Sequence, residues 1–230
     1  SRLLALPEDT RTRYDLSSLR AMIHGAAPCP QPVKQKMLDW FGPVVIEYYA
    51  ASEGGGTLIT ATEWRARPGS VGKAWPGSRV RVLDDDGKDR PPGEPGTVYL
   101  QMGDATFEYH GDAEKTRASW RDRMFTVGDI GYLDDDGYLK IVDRKKELII
   151  NAAGKNMSPA NIEAALKVAS PLIGHAAAIG DSRPYNTALI VLDADFGPAW
   201  AGPQGIDGDD LAALARDARM RAAVQKGVDE

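Results

Sequence analysis

Near Arg67 the chain changes texture, and that change constrains its fold more than any other feature. Before it, strand and helix signals alternate. "LRAMIHG" reads as a buried strand, Pro30 to Phe41 as an amphipathic helix with Val33, Met37, Leu38 and Phe41 inward, and "PVVIEYY" as a second strand. That rhythm implies a parallel, layered α/β sheet. After Arg67 come short β runs cut by Gly and Pro: "GSVGKAW", "SRVRVLDDDGKDRPPGEPGTVYL" and "FTVGDIGYLDDDGYLKIV". Such spacing reads as a small antiparallel sheet or barrel. A third texture follows Val142: strand "ELIIN", a helix from Ser158 or Pro159 to Val168, strands "HAAAIGD" and "TALIVLD", and a late helix from about Asp209 to Val224. Ser158 is a favourable N-cap and Pro159 suits a first helical turn.

The fold class expected is therefore α/β with α+β mixing. Residues 1–66 form the end of a layered α/β subdomain, 67–143 a small antiparallel β-barrel-like subdomain, and 144–230 a small α/β C-terminal domain. With 230 residues, 43% of them hydrophobic, the chain can bury such cores. Its net charge of −5 and scattered Lys and Arg argue against nucleic acid or a general membrane surface and point to small-molecule partners. No run reaches the eighteen or so apolar residues of a membrane helix, and "SRLLALPEDTRTRY" lacks a signal-peptide layout. A cytoplasmic location is expected, with peripheral membrane contact left open. Cys29 is the only cysteine, which fits a reducing compartment and a packing role. The first residue is not Met and "QKGVDE" still has helical periodicity, so a piece of a longer protein is expected.

"LDDDG" occurs twice, at Leu83 to Gly87 and Leu133 to Gly137. A calcium loop would alternate ligands over about twelve residues and end in Glu, so both read as hairpin turns. His24, His110 and His175 have no metal-ligand spacing.

Four stretches carry chemistry. "HGAAPCP" places Gly25, Ala26 and Ala27 after a buried strand, where small residues let a backbone approach a flat ring; alone it is a plain strand-to-helix turn. "EYYAASEGGG" offers the aromatic faces of Tyr48 and Tyr49 and, at Glu53, a hard oxygen ligand for Mg²⁺. Its triglycine lacks the spacing and Lys of a P-loop and reads as a flexible turn. "FTVGDIGYL" sets Asp129 on a Gly-flanked corner, able to accept from both hydroxyls of a ribose or to cap its own turn. "DRKKELIINAAGKNMSP" brings Arg144, with a forked donor set, beside the point charges Lys145 and Lys146; alone it is a solvated turn.

Taken in order, "GAAP", "YYAASEG", "VGDIGYLDDDGYLKIVDRKKELII" and "GKNMSPANIE" resemble the adenylate-forming (acyl-activating) superfamily of AMP-dependent ligases, in particular the C-terminal portion of fatty-acyl-CoA synthetases. The last two most resemble the long-chain branch. The resemblance covers about residues 16 to 193. It implies ATP, Mg²⁺ and coenzyme A as cofactors and a carboxylic acid, in first place a medium- to long-chain fatty acid, as substrate. The acid takes AMP from ATP to give an acyl-adenylate, and the acyl group then passes to the thiol of coenzyme A.

The same resemblance implies roles. Gly25, Ala26 and Ala27 line the adenine and acyl pocket, Tyr49 stacks on adenine, and Glu47 lies near its edge. Ser52 sits at a phosphate, Glu53 binds Mg²⁺, Asp129 takes the ribose hydroxyls and Arg144 lies near the ribose. Lys146 is the hinge about which the small domain, mobile in the family, swings between two poses. Gly154 and Lys155 approach coenzyme A in the second pose. Ala50, Ser52, Val127 and Ala153 depart from the family's usual Gly, Thr, Thr and Gly. The family's phosphate loop would precede residue 1 and its adenylating Lys would follow residue 230, so the isolated chain is expected to be inactive and its partner to be the missing N-terminal part. The alternatives are a non-catalytic nucleotide- or acyl-binding paralogue and an acyl-AMP ligase serving a carrier protein. Direct passage from "GYLKIV" into "DRKKELII" favours the coenzyme A user.

Overall fold

In the first unit, alternation of inward and outward side chains builds two sheets. A short helix α1 (Glu8–Thr12) precedes β1 (Met22–His24), and α2 (Gln31–Phe41) follows behind Pro30. The buried stripe of α2 is Lys34, Met37 and Leu38, with Phe41 packed beside it; the Val33 expected there is only half-buried. β2 (Val45–Ala50) runs parallel to β1, with Met22 opposite Val45 and His24 opposite Glu47. β3 (Gly56–Thr60), α3 (Ala61–Ala66) and β4 (Lys73–Ala74) come next, and the sheet order is β1-β2-β3-β4.

The β2–β3 and β3–β4 pairs are antiparallel, so the sheet is mixed where the helix–strand alternation suggested a purely parallel one. The reason is local. Gly54 and Gly55 adopt φ of 119° and 77°, which lets the chain reverse tightly after β2 with no crossover helix. α3 starts with a capping box in which Thr60 and Glu63 each accept from the other's backbone N–H. Leu38, Val45, Ile59, Ala61, Trp64 and Tyr138 form the core against this sheet.

The second sheet holds β5 (Ser78–Leu83), β6 (Gly96–Met102), β7 (Trp120–Arg121), β8 (Met124–Phe125), β9 (Asp129–Leu133) and β10 (Leu139–Arg144), with α4 (Ala113–Ser119) ahead of β7. All of its pairs are antiparallel, in the order β10-β9-β6-β8-β7 with β5 also on β6. The sheet is open and does not close into a barrel, since its far edge is the two-residue strand β7. Both "LDDDG" segments are turns: Gly87 N–H donates to Asp84 O at 3.1 Å and Gly137 N–H to Asp134 O at 2.9 Å. The Asp84 and Asp134 carboxylates accept from Lys88 and Tyr138 N–H, so they build the turns they occupy. Val82, Val98, Leu100, Phe125 and Leu139 form the core of this sheet.

The computed structural model describes residues 2–152, 155–208 and 210–229, which fall into two compact units, Ser1–Lys146 and Glu147–Glu230. In the second unit the expected strand "ELIIN" shortens to β11 (Ile149–Ile150), paired with β12 (Asn156–Met157). α5 (Pro159–Ala169) is capped by Ser158, whose Oγ accepts from Asn161 N–H at 3.1 Å. β13 (Ile173–Ile179) and β14 (Thr187–Leu192) form a hairpin, followed by α6 (Phe196–Ala201), α7 (Leu211–Leu214) and α8 (Ala218–Asp229). The single late helix expected from about Asp209 is thus divided, and Asp209 itself lies outside the described residues. Asp217 parts α7 from α8 by accepting from Arg219 N–H at 2.8 Å. Leu172, Leu192, Ala201, Leu214 and Met220 give this unit a core of its own. Among the described residues no helix is long and apolar enough to cross a membrane.

Candidate functional site

The adjacent carboxyl ends of parallel β1 and β2 are where an α/β sheet takes ligands. There Gly25 lies so close to Tyr48 that an added Cβ would stand 2.7 Å from its ring and from its carbonyl oxygen. Only glycine fits. Ala26 follows at φ 67°, a left-handed conformation that a residue bearing a Cβ adopts at a cost of about 1–3 kcal/mol. Ala26 and Ala27 are both exposed, so this turn leaves their methyl groups open to solvent.

Behind it lies a charged corner. Lys34, from α2, donates to Glu47 Oε2, and the two side chains are 2% and 9% exposed. The Trp64 ring lies 4.9 Å from the Lys34 ammonium. Burial lowers the pKa of Lys34, and its hydrogen bond with Glu47 pulls it back up. His24, opposite Glu47 in register, is likewise held below 6.5, chiefly by burial; Glu47 opposes that shift and Lys34 adds to it. The Cys29 thiol is pushed up by burial and by Glu47.

Two residues beyond Glu47 on β2, Tyr49 packs against the core of the second sheet. Its phenol donates to Asp129 Oδ2 at 2.6 Å, and the Arg144 guanidinium Nε lies 3.5 Å from Asp129 Oδ1. Burial and the Asp129 carboxylate raise the Tyr49 pKa far above that of a free phenol, so the hydroxyl stays protonated as a donor. The Asp129 side chain is 10% exposed and that of Arg144 63%, so the guanidinium brings the site to the surface. Asp129 opens β9 directly after Gly128, whose N–H donates to Thr126 Oγ1 at 3.0 Å. Thr126 therefore braces the corner, while Val127 packs into the core. Lys145 is tied on both sides, its N–H to Gly128 O at 2.7 Å and its ammonium to Asp85 at 2.7 Å. Lys146 is exposed and ends the first unit.

A third group forms at Glu53, where the Tyr109 phenol donates to Oε1 at 2.8 Å. Ser52 is exposed beside it. Among the described residues no three His, Cys, Asp or Glu side chains gather as a metal cage. A single carboxylate nevertheless fits Mg²⁺, which is commonly held by one or two carboxylates, substrate phosphates and water. Lys155 belongs to the second unit, where its N–H closes the β11–β12 turn on Asn151 Oδ1 at 2.9 Å. Gly154 lies outside the described residues.

The structure thus brings Tyr49, Asp129 and Arg144 together, couples Glu53 to Tyr109 and Glu47 to Lys34, and sets Gly25 against Tyr48. Lys34, Thr126 and Tyr109 are additions to the residues singled out from sequence. Of these only Lys34 left a signal, its i, i+3, i+4, i+7 spacing with Met37, Leu38 and Phe41.

Residues 1–109 match the family described as AMP-binding enzyme, and residues 146–199 match the AMP-binding enzyme C-terminal domain. The putative fatty-acid–CoA ligase fadD11 of Mycobacterium tuberculosis H37Rv is 40% identical over 225 residues, covering 96% of this chain and 37% of that protein. Long-chain-fatty-acid–CoA ligase FadD15 of Mycobacterium bovis is 31% identical over 212 residues, covering 92% and 33%. Among solved structures, O-succinylbenzoate coenzyme A synthetase (MenE) from Bacillus subtilis in complex with AMP superposes with a TM-score of 0.72 at 26% identity, over 83% of this chain and 39% of that one. The chain belongs to the adenylate-forming superfamily of AMP-binding enzymes. It spans 37% of the length of FadD11 and 33% of FadD15.

Proposed function

We propose that the whole protein carrying this chain is an AMP-forming acid–thiol ligase acting on a medium- to long-chain fatty acid in the cytoplasm. In the first step a carboxylate oxygen of the acid attacks the α-phosphorus of ATP, the bond to the β-phosphate breaks and pyrophosphate leaves. In the second the thiol sulfur of coenzyme A attacks the acyl carbon, its C–O bond to AMP breaks and the thiol proton is released. The observation that carries this reading is the Tyr49–Asp129–Arg144 group, in a chain 40% identical to a putative fatty-acid–CoA ligase.

Each side chain suits its part. Asp129 offers carboxylate oxygens to a ribose diol, Tyr49 holds one of them and sets its ring beside the base, and Arg144 supplies positive charge at the rim. Gly25, Ala26 and Ala27 provide a wall with little steric bulk. Ser52 is the hydroxyl at a phosphate, and Glu53 would hold Mg²⁺, which neutralises phosphate charge when bound. Glu47 acts from behind, neutralised by Lys34, so the adenine wall carries little net charge. Lys146 is the pivot between the half-reactions, and Gly154 with Lys155 approaches coenzyme A in the second.

The test is a panel of fatty, aromatic and steroid side-chain acids given to the whole protein with ATP and Mg²⁺. Products are scored as AMP or ADP, and as thioester on coenzyme A or on an acyl-carrier protein. AMP and an acyl-CoA from fatty acids are expected. ADP as product, or thioester on the carrier protein alone, overturns the reading.

A further inference from the structure

We infer that Tyr109 is a positioning residue for Glu53, holding that carboxylate so that one oxygen is presented to the divalent cation of the bound nucleotide. The inference rests on the proposed metal role of Glu53. Tyr109 lies 56 residues away in sequence, and its phenol donates to Glu53 Oε1 at 2.8 Å. Glu53 stands next to the Gly54–Gly55 turn, whose positive φ values give a backbone with little intrinsic preference, so a partner fixed elsewhere in the fold defines where its carboxylate points.

Tyr109 is itself fastened. Its N–H donates to Thr116 Oγ1 at 2.9 Å, and that hydroxyl donates to Asp112 O at 2.8 Å. Its ring meets Phe107 edge-on at 5.3 Å, and Phe107 in turn stands edge-on to buried Phe125 at 5.1 Å. The Lys115 ammonium sits 3.7 Å from the ring centroid.

The choice of a phenol matters chemically. A neutral hydroxyl fixes the carboxylate through one oxygen and leaves its negative charge for a cation, whereas a Lys or Arg in its place would cancel that charge. The Lys115 ammonium is taken up by the ring face. Groups that orient a ligating carboxylate typically account for a 10- to 100-fold change in metal affinity.

The experiment compares the whole protein with Tyr109→Phe, which keeps the ring and its packing, and with Glu53→Gln. Mn²⁺ binding in the presence of a non-hydrolysable ATP analogue is read by electron paramagnetic resonance, alongside the half-saturating Mg²⁺ concentration and the KM for the acid. Tyr109→Phe is expected to weaken Mn²⁺ binding and raise the Mg²⁺ requirement by about tenfold, with melting temperature and acid KM unchanged. Glu53→Gln is expected to weaken both further. If Tyr109→Phe leaves metal binding unchanged while Glu53→Gln destroys it, the positioning role falls and the metal role stands. If neither variant alters metal binding, the metal role of Glu53 falls and this inference with it.

Discussion

At the buried corner of the first unit two charges depend on each other. Lys34 and Glu47 are both out of water, so removing one partner leaves an uncompensated charge. Lys34→Met is therefore expected to cost about 3–5 kcal/mol in a urea denaturation series, and Lys34→Met with Glu47→Leu to recover most of that loss. His24, in register with Glu47, sets a pH dependence. Its folded pKa is depressed below 6.5, so the unfolded state binds the proton more readily. The stability it contributes is present above about pH 6.5 and is lost as pH falls toward the folded pKa. A His24→Asn variant should show a shallower loss of stability between pH 7 and 5, measured by denaturation at each pH. Much of this corner was legible beforehand. Lys34 falls on the apolar stripe of α2, and Glu47 shares the inward face of β2 with Val45, so period alone brings both charges inward. What period cannot give is that they meet, because 13 residues separate them and only the β1–β2 pairing sets the distance.

Among the elements, caps and turns decide where order begins. Ser158 satisfies Asn161 N–H at the start of α5, and Ser158→Ala should lower the stability of the second unit by about 1 kcal/mol in thermal or chemical unfolding. At Gly25 any larger residue meets the Tyr48 ring and carbonyl, so Gly25→Val should destabilise the first unit and weaken AMP binding measured by calorimetry. Ser158, Pro159 and the Asp-Gly turns declare themselves in sequence because each works through its neighbours. The mixed sheet did not. Its direction is set by the φ values of Gly54 and Gly55, and a triglycine allows reversal or continuation equally well. The barrel-like expectation failed for a related reason: short strands and frequent turns signal an antiparallel sheet, but closure depends on which edges pair. Likewise helical periodicity ran across Asp217, whose carboxylate takes the N–H that would have continued the helix.

At the scale of the molecule, each of the two units has its own core, and the first ends at Lys146. The nucleotide site proposed for the first unit joins residues 80 positions apart, Tyr49 and Asp129, so no local window of sequence contains it. The order of four motifs revealed the family, while Thr126 and Tyr109 stayed hidden because single polar residues in loops look alike until a partner is seen. In the proposed function one site serves two half-reactions, with Lys146 as the pivot between them. Proline there fixes φ and removes the N–H, which should hinder rotation more than nucleotide binding. The deciding measurement compares Lys146→Pro with the unaltered whole protein in two assays: acid-dependent ATP–pyrophosphate exchange, and transfer of the acyl group to coenzyme A. The account predicts exchange largely retained and transfer reduced by about tenfold or more; equal losses in both would contradict it.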